Sequence, residues 1–466
     1  MKEIIVGLSK CRMLPIGQTT DAWDVLSVQN LIYEPLVRAR NGRIFPALAQ
    51  SWQIFDNGRK WIFSLRPDIT FHDGSVCTME DVVRSFEEMR NARDSFGMPG
   101  PFSRYLSGLE FNILNSNTLE VLSEYPNGDI ADFLSEIFIR KFDHNTEQLI
   151  GTGPYELSNY EPNQKIILQK QKKYSSDLMY QKIEFRIIPD AEDRYEMLKT
   201  GQIHLAMNLD QLKDRPEENP DFKWHKSINT LSVIGFLNGF EAPFNNPEAR
   251  LAINLAVDVK GLIHEVLHDL AVPASTVVSP FHCGFESTLQ PIPYDPDRAK
   301  AIFSKVDLPS ELVFRTPTFM PDRAVETSTY IVEQLSKIGL PAKIDVMKDR
   351  PEYAREVGAK KTGHIALFDS SPHSSYRILS DKISSEQKGL WWQGIKDEKM
   401  DSLIREAHAE YDVLPRERCY ANALRYLNQN PFWLYLYHPI FVNANRPEVD
   451  DIELTHEGLL RFPGTW

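Results

Sequence analysis

Short stretches in which apolar and polar residues alternate occur along much of this chain, and such alternation predicts half-buried β-strands. Between Leu36 and Phe71 several of them follow one another, separated by asparagine-glycine turn signals. A helix is predicted from Thr78 to Asn91, because Thr78 is a favoured N-cap and Glu80-Asp81 places acids where the helix dipole favours them. This part of the chain predicts a hairpin followed by a helix, a scaffold without an evident nucleophile or metal cage.

Beyond residue 150, predicted strands and helices alternate. Helical spacing of apolar residues predicts helices at Ala191–Thr200, Pro247–Leu267, Arg323–Ile338, Asp397–Tyr411 and Pro415–Asn430. The run FWLYLYHPIFVNAN near the C-terminus predicts a closing pair of strands. The pattern indicates an α/β protein with mixed sheets. Neither an internal repeat nor a low-complexity linker divides the chain, so we expect interwoven domains.

Composition narrows the class of protein. A chain of 466 residues exceeds one ordinary core and predicts two or three domains. Hydrophobic residues make up 42% and charged residues 25%, which is typical of a soluble globular protein. The formal charge of -13, without a block of lysine and arginine, argues against nucleic acid as a partner. Aromatic residues at 11% suit both a core and a ligand cleft.

Cysteine spacing and hydropathy exclude further classes. The cysteines are far apart, at Cys11, Cys77, Cys283 and Cys419. Without a C-x-x-C pair they exclude a zinc ribbon or a disulfide-dense scaffold, and buried thiols are favoured over one long-range disulfide. No apolar run reaches the length of a membrane span, and the N-terminus has no signal-peptide core. The chain is therefore either cytoplasmic or a mature form whose export signal has been removed.

One motif points to an enzyme. The residues His264-Glu265-Val266-Leu267-His268 fit the H-E-x-x-H pattern of zinc proteases. On a helix, histidines four residues apart share one face, and the glutamate could activate a zinc-bound water. A zinc-dependent hydrolase is therefore the alternative from another class. The competing interpretation is a pair of surface histidines, since no evident third ligand follows on a helix.

Several longer segments occur in a fixed order along the chain. They are IYEPLVRARNGRIFPALAQSWQIFDNGRKWIFSLRPDITFHDGSVCTMEDVVRSFE, IGTGPYEL, PDAEDRYEMLKTGQIHLA, FLNGFEAPFNNPEARLAINLAVDVKGLI and PYDPDRAKAIF. In content and order they resemble the family 5 extracytoplasmic solute-binding proteins, the oligopeptide, dipeptide and nickel-type binding subunits of ABC importers. The resemblance covers nearly the whole chain, and the ordered set is far more specific than any single segment.

The resemblance implies a two-lobed periplasmic-binding-protein fold with mixed sheets, in which the lobes close over a ligand in the cleft between them. Lobe I would comprise residues 1–236 and 440–466, with 41–149 as an inserted subdomain. Lobe II would comprise 237–439. The hinge strands between the lobes would be Leu231–Asn238 and the segment around Leu434–Asn443.

The resemblance also implies ligand contacts of the peptide-binding type. Those members hold the amino terminus of the ligand with an aspartate that follows a strand of lobe II. The matching segment here, HIALFDSSPHSSYRILSDKIS, lacks the family's tryptophan and its Asp-Pro, but Asp369 could take an ammonium, with His373 and Tyr376 nearby. Trp391 and Trp392 lie where the family places residues close to the ligand. Adjacent side chains point in different directions, so at most one should wall the cleft.

Nickel-type members instead hold a metal through a small chelator whose carboxylates meet arginines. Arg140 lies near the position where that subgroup carries such an arginine, and Arg93 is a second candidate. A guanidinium pairs with a carboxylate bidentately, which a lysine cannot do. His373 could touch ligand or metal, and Trp23 is a further candidate wall of the cleft. The alternatives are surface or ion-paired arginines, an exposed loop histidine and a core tryptophan.

The sequence thus predicts the substrate-binding component of an ABC importer. It would capture a short peptide or a nickel-type metal chelate, deliver it to a membrane permease and work as a monomer. We expect no enzyme activity, no cofactor, no metal site of its own and no nucleic-acid partner. The resemblance favours a periplasmic or other extracytoplasmic location at the cell envelope. A ligand-sensing module of a regulator is a third interpretation, weakened because no DNA-binding segment occurs at the N-terminus.

Overall fold

The computed structural model describes most of the chain. The described residues are 3–13, 23–40, 42–93, 99–100, 102–142, 149–173, 178–212, 219–372, 374–449, 452–455 and 458–465. His373, one of the predicted ligand contacts, lies outside them.

Strands and helices alternate through these residues, which confirms the mixed α/β class. The strands are β1 (Glu3–Leu8), β2 (Glu34–Pro35), β3 (Val37–Arg40), β4 (Arg43–Pro46), β5 (Ala49–Phe55), β6 (Lys60–Leu65), β7 (Leu109–Asn115), β8 (Thr118–Ser123), β9 (Phe138–Ile139), β10 (Tyr155–Glu161), β11 (Lys165–Lys170), β12 (Lys182–Ile187), β13 (Leu205–Ala206), β14 (Lys223–Ile228), β15 (Ser232–Leu237), β16 (Ala271–Pro273), β17 (Leu312–Pro317), β18 (Ala342–Met347), β19 (Ile365–Ser370), β20 (Leu434–Asn445), β21 (Glu453–Leu454) and β22 (Leu460–Arg461). The helices are α1 (Trp23–Ile32), α2 (Met79–Asn91), α3 (Ser103–Ser107), α4 (Ile130–Ser135), α5 (Ala191–Lys199), α6 (Pro247–Ala256), α7 (Val259–Glu265), α8 (Pro296–Phe303), α9 (Ala324–Lys337), α10 (Arg350–Gly358), α11 (Ser375–Lys382), α12 (Glu398–Ala409) and α13 (Val413–Gln429).

The chain divides into two compact units. Unit 1 spans Met1–Ser227 and Phe441–Trp466, and unit 2 spans Ile228–Ile440. The chain therefore passes from one unit to the other twice, once within β14 and once within β20. The lobe boundaries and hinge strands given above remain a prediction.

Unit 1 contains the hairpin and helix predicted from the opening pattern. β5, β6, β8 and β7 form an antiparallel sheet in that order. The Thr78 side chain accepts a hydrogen bond from the Asp81 N–H, and the Asp81 carboxylate accepts from the Thr78 N–H, so α2 begins in a capping box. The apolar side chains that the pattern assigned to this scaffold are buried, as predicted: Trp61, Phe63, Leu65, Phe71, Val82 and Phe86.

A second sheet of unit 1 has the order β10, β11, β12, β1 and β13, followed by the last residues of β20. β1 runs parallel to β12 and β13, and β10 to β12 are antiparallel. Apolar residues of β1 are fully buried at alternate positions Ile4, Val6 and Leu8. The alternation thus gives the sheet one face in the core.

Unit 2 is built on a sheet with the order β20, β15, β19, β17 and β18. β15 is antiparallel to its neighbours, whereas β17, β18 and β19 run parallel to one another. Helices α6 to α9 supply much of the core packed on this sheet, including Ile253, Leu262, Ile331 and Leu335. Parallel strands buried in this way are typical of α/β units.

Two predictions about unit 2 are wrong. Pro247–Leu267 is not one helix, because Val257 is extended and Asp258 begins α7 with a cap on the Gly261 N–H. The segment 432–445 is not a strand pair, since β20 runs unbroken from Leu434 to Asn445.

Free thiols, not a disulfide, account for the four cysteines. Cys11 and Cys77 are buried as expected, but Cys283 and Cys419 are partly exposed. Across the described residues, no helix has both the length and the apolar character that crossing a bilayer requires.

Candidate functional site

The carboxyl ends of the parallel strands in unit 2 are the natural place for a ligand. In open α/β sheets, ligands bind outside these ends because loops from neighbouring strands meet there. β17, β18 and β19 share that edge, and the chain leaves them at Pro317, Met347 and Ser370. The side chains that follow therefore define the candidate site.

Arg350 connects the three loops at this edge. It is the first residue of α10, which follows β18 after two residues. Its Nε donates to the carbonyl oxygen of Met320, in the loop after β17, at 3.0 Å. Its Nη2 donates to Oδ1 of Asp369, at the end of β19, at 2.8 Å. The two charged side chains are only 13% and 10% exposed, so this ion pair is shielded from solvent.

Aromatic rings support the guanidinium of Arg350. Its central carbon lies 4.6 Å from the ring centroid of Phe368 and 5.7 Å from that of Tyr353, both within cation–π range. The hydroxyl of Tyr353 donates to the carbonyl oxygen of Leu367 at 2.6 Å. Burial raises the pKa of Tyr353, so this hydroxyl remains a donor. These contacts hold the guanidinium of Arg350 and the ring of Tyr353 in place.

The two adjacent tryptophans have different surroundings. Trp391 contacts Phe368, with ring centroids 4.9 Å apart, and so joins the cluster that contains Asp369. Trp392 is buried, packs edge-on against Phe240 and donates from Nε1 to the carbonyl oxygen of Ile395 at 2.7 Å. Of the pair, Trp391 is therefore the one associated with the carboxyl edge.

A lysine holds the segment that carries Trp391. The Nζ of Lys360 donates to the carbonyl oxygen of Leu390 at 2.6 Å. Burial lowers the pKa of Lys360 to about 8. The segment is thus tied to the turn that follows α10.

Two further residues of this region, the predicted Tyr376 and the neighbouring Ser370, have protein partners. Tyr376 is buried at the start of α11 and stacks on His408 of α12, with centroids 3.8 Å apart and planes 8° from parallel. Ser370, the last residue of β19, accepts a hydrogen bond at 2.5 Å from Nζ of the buried Lys382. These contacts join α11 to its neighbours.

In unit 1, Arg140 lies against α2. Its Nε donates to Oε2 of Glu88 at 2.6 Å, and its Nη2 donates to Oε1 of the same carboxylate. The guanidinium also lies 4.0 Å from the ring centroid of Phe142. Arg140 is 29% exposed, and the carboxylate of Glu88 already accepts hydrogen bonds from two of its guanidinium nitrogens.

Trp23 and Arg93 lie elsewhere in unit 1. Trp23 begins α1 and contacts Phe441, with ring centroids 5.9 Å apart. Arg93 is exposed beyond the end of α2, where its backbone pairs with Pro99.

The zinc-protease motif does not form a helical pair of histidines. α7 ends at Glu265, and His268 has a left-handed backbone with φ of 52°. Nδ1 of the exposed His264 lies 3.3 Å from Asp269, whereas Nε2 of His268 lies 3.0 Å from Nη1 of Arg323. In the described part of the chain, no group of three or more histidine, cysteine, aspartate or glutamate residues could hold a metal ion. The zinc-hydrolase alternative is therefore not supported.

Comparison with known proteins decides the family. The model of bacterial extracellular solute-binding proteins, family 5 Middle, matches residues 43–381. The chain belongs to this family. The resemblance inferred from the ordered segments is thereby confirmed, and the family is one of binding proteins.

Relatives of this family-5 protein fall on both sides of the peptide and nickel division. The nickel-binding periplasmic protein of Escherichia coli is 26% identical, over 91% of this chain and 87% of the relative. Di/tripeptide-binding protein 1 of Pseudomonas aeruginosa is 24% identical, over 96% of this chain and 90% of the relative. The ABC transporter-associated periplasmic binding protein DppA from Helicobacter pylori, solved with the peptide STSA, has a TM-score of 0.81 at 22% identity and covers 99% of this chain and 98% of its own. The fold is thus that of periplasmic binding proteins.

Sequence reasoning named Asp369 and Trp391 as candidates, and both lie at this edge of the sheet, but it did not name Arg350. The available signal was its position just after β18, one of the parallel strands, at the edge of the sheet where ligands bind.

Proposed function

We propose that this family-5 protein is the substrate-binding component of an ABC importer and that it binds a short peptide or a nickel-type metal chelate. The observation that carries the proposal is the carboxyl edge of unit 2, where Arg350, Asp369 and the rings of Phe368 and Trp391 lie together. A few fixed polar groups beside aromatic walls are typical of small-molecule sites. The names of the relatives supply the two ligand classes.

Further parts of the proposal follow from the family. The protein would release its ligand unchanged to a membrane permease, without catalysis or a cofactor, as a monomer in the periplasm or elsewhere outside the cytoplasm. Units 1 and 2 would correspond broadly to lobes I and II. The residues proposed to form the site are Asp369 and Trp391 in unit 2 and Arg140 and Trp23 in unit 1.

Isothermal titration calorimetry tests this function. Endogenous ligand is first removed by unfolding in guanidinium chloride and refolding. The protein is then titrated with a mixture of di- and tripeptides and, separately, with nickel and L-histidine. We expect one class to bind with one site per chain and a Kd of about 10 μM or below, corresponding to about 7 kcal/mol or more.

The two ligand classes are separated by the same titrations. Binding of peptides in the absence of metal supports the peptide class, whereas binding that requires nickel and histidine together supports the chelate class. Correctly refolded protein that binds neither at millimolar concentration would contradict the proposed function.

A further inference from the structure

The guanidinium of Arg350 is only partly used by the protein. Its Nε and Nη2 donate to Met320 and Asp369, and no hydrogen bond among the described residues uses Nη1. Arg315 in β17 differs, since Nε, Nη1 and Nη2 donate to Asp345, to the carbonyl of Lys361 and to Glu356. Of these two arginines in unit 2, Arg315 is engaged at every nitrogen, whereas Arg350 retains donors for a further acceptor.

The protein also fixes the orientation of this guanidinium before any ligand arrives. The carbonyl of Met320 and the carboxylate of Asp369 hold two nitrogens, while the ring of Phe368 supports one face. Tyr353 is fully buried, and its hydroxyl is held by the carbonyl oxygens of Leu367 and Arg315. A pre-oriented arginine loses little conformational entropy on binding, and low exposure strengthens each charged hydrogen bond.

We propose that Arg350 is a specificity-determining residue, which binds a carboxylate of the ligand through Nη1 while Asp369 positions the guanidinium. This inference rests on the proposed function and narrows it to ligands that carry a carboxylate. Oδ1 of Asp369 is already occupied by Nη2, and a ligand ammonium at that carboxylate would lie beside the positive charge of Arg350. Asp369 therefore acts through Arg350 and is a positioning residue.

Paired ligands that differ only in the carboxylate test the inference. For peptides the pair is a tripeptide and its C-terminal amide, and for chelates it is nickel with L-histidine and nickel with histamine. Titration calorimetry of the wild-type protein should show the acid form of the bound class binding at least about 10-fold more tightly than its partner. Equal affinities for the two forms would overturn the inference while leaving the proposed function intact.

Variants then assign the preference to one side chain. We expect Arg350→Gln to weaken binding of the acid form by about 10- to 100-fold and to abolish the preference over the amide or histamine form. Arg350→Lys keeps the charge but loses the planar fork, so an intermediate preference is expected. Asp369→Asn should weaken binding but retain the preference. The matched control is Arg355→Gln, an exposed arginine of the same helix paired only with Glu352 among its described contacts, which should match the wild type.

Each remaining outcome is decisive. An unchanged preference in folded Arg350→Gln and Arg350→Lys, with folding checked by circular dichroism, would overturn the role of Arg350. A second pair of results would also overturn the inference, because it would show a contact between Asp369 and a ligand ammonium. In that case Asp369→Asn binds neither form, and the wild-type protein binds the amide form more tightly than the acid form. Absence of binding by the wild type to either pair would overturn both the inference and the proposed function.

Discussion

At the residue scale, His72 and His438 couple folding to pH. His72 lies between the supporting hairpin and the IGTGPYEL segment, where Nε2 donates to the carbonyl oxygen of Gly153 at 3.1 Å and Nδ1 accepts from the Gly151 N–H at 3.3 Å. His438 is buried in unit 2, with Nδ1 3.1 Å from Oγ of Ser232. Burial lowers the pKa of each imidazole to about 4. Both imidazoles are therefore neutral in the folded protein at pH 7.

We expect the free energy of unfolding to be highest above pH 6.5 and to fall as the pH decreases towards 4. In that window the unfolded chain binds protons that folded His72 does not bind, so acidification favours unfolding. A pKa of about 4 in the folded protein, compared with 6.5 in the unfolded chain, corresponds to about 3 kcal/mol per histidine. Urea unfolding followed by tryptophan fluorescence at pH 7 and pH 4.5 measures the effect.

The variant His72→Gln isolates one contribution. It should reduce the difference in unfolding free energy between the two pH values by about 2–3 kcal/mol, because glutamine at position 72 takes up no proton in this range. The explanation fails if His72→Gln retains the pH dependence of the wild type.

Among single residues, those of the site were the hardest to predict. Asp369 and Trp391 were named as candidates because a family resemblance pointed to their segments. Arg350 was missed because its importance comes from contacts with Met320 and Asp369, which lie 30 and 19 residues away in the chain. The motif at His264 to His268 had correct spacing, yet α7 ends at Glu265 and His268 lies beyond it with a left-handed backbone, so the helix that the chemistry requires does not reach His268.

At the scale of elements, the sequence predicted the end of a helix correctly where the residues at that end bind to one another. Thr78 and Asp81 cap each other, so the start of α2 follows from four residues of sequence. The break between α6 and α7 was missed because apolar spacing continues across it. The signal was Asp258, which caps the Gly261 N–H, and it carried less weight than the uninterrupted periodicity.

The glycines of the IGTGPYEL segment have a packing role. A Cβ on Gly151 would lie 2.1 Å from the carbonyl oxygen of Ile32, and one on Gly153 would lie 2.5 Å from that of Leu31. The Gly153 N–H also donates to the carbonyl oxygen of Ile32 at 2.9 Å. The segment thus lies directly against the end of α1, which only residues without a side chain permit.

We expect Gly151→Ala to destabilise the protein by about 1–3 kcal/mol, because the added methyl group must displace backbone and not a flexible side chain. The control is Gly108→Ala, where a Cβ would meet nothing within 4 Å and the change should remain within about 0.5 kcal/mol. Urea unfolding of both variants measures the difference. Equal stability of the two variants would contradict the close packing at α1.

At the scale of the whole molecule, the order of segments was the most informative signal. The family match covers residues 43–381, and the relatives cover about nine tenths of the chain. Ligand identity does not follow from that order, because it would depend on a few side chains, which we propose to include Arg350 and Arg140. Those side chains are held by partners, Asp369 and Glu88, that only the folded units bring within hydrogen-bond distance.

The central claim is that the protein binds one small ligand and releases it unchanged. The most direct test is native mass spectrometry of the protein after incubation with peptides or with nickel and L-histidine. The account predicts a species heavier by the mass of one ligand, and unfolding should release that ligand with its mass unaltered. A spectrum with no ligand-bound species at millimolar concentration would contradict the account, and so would release of a cleaved or otherwise altered molecule.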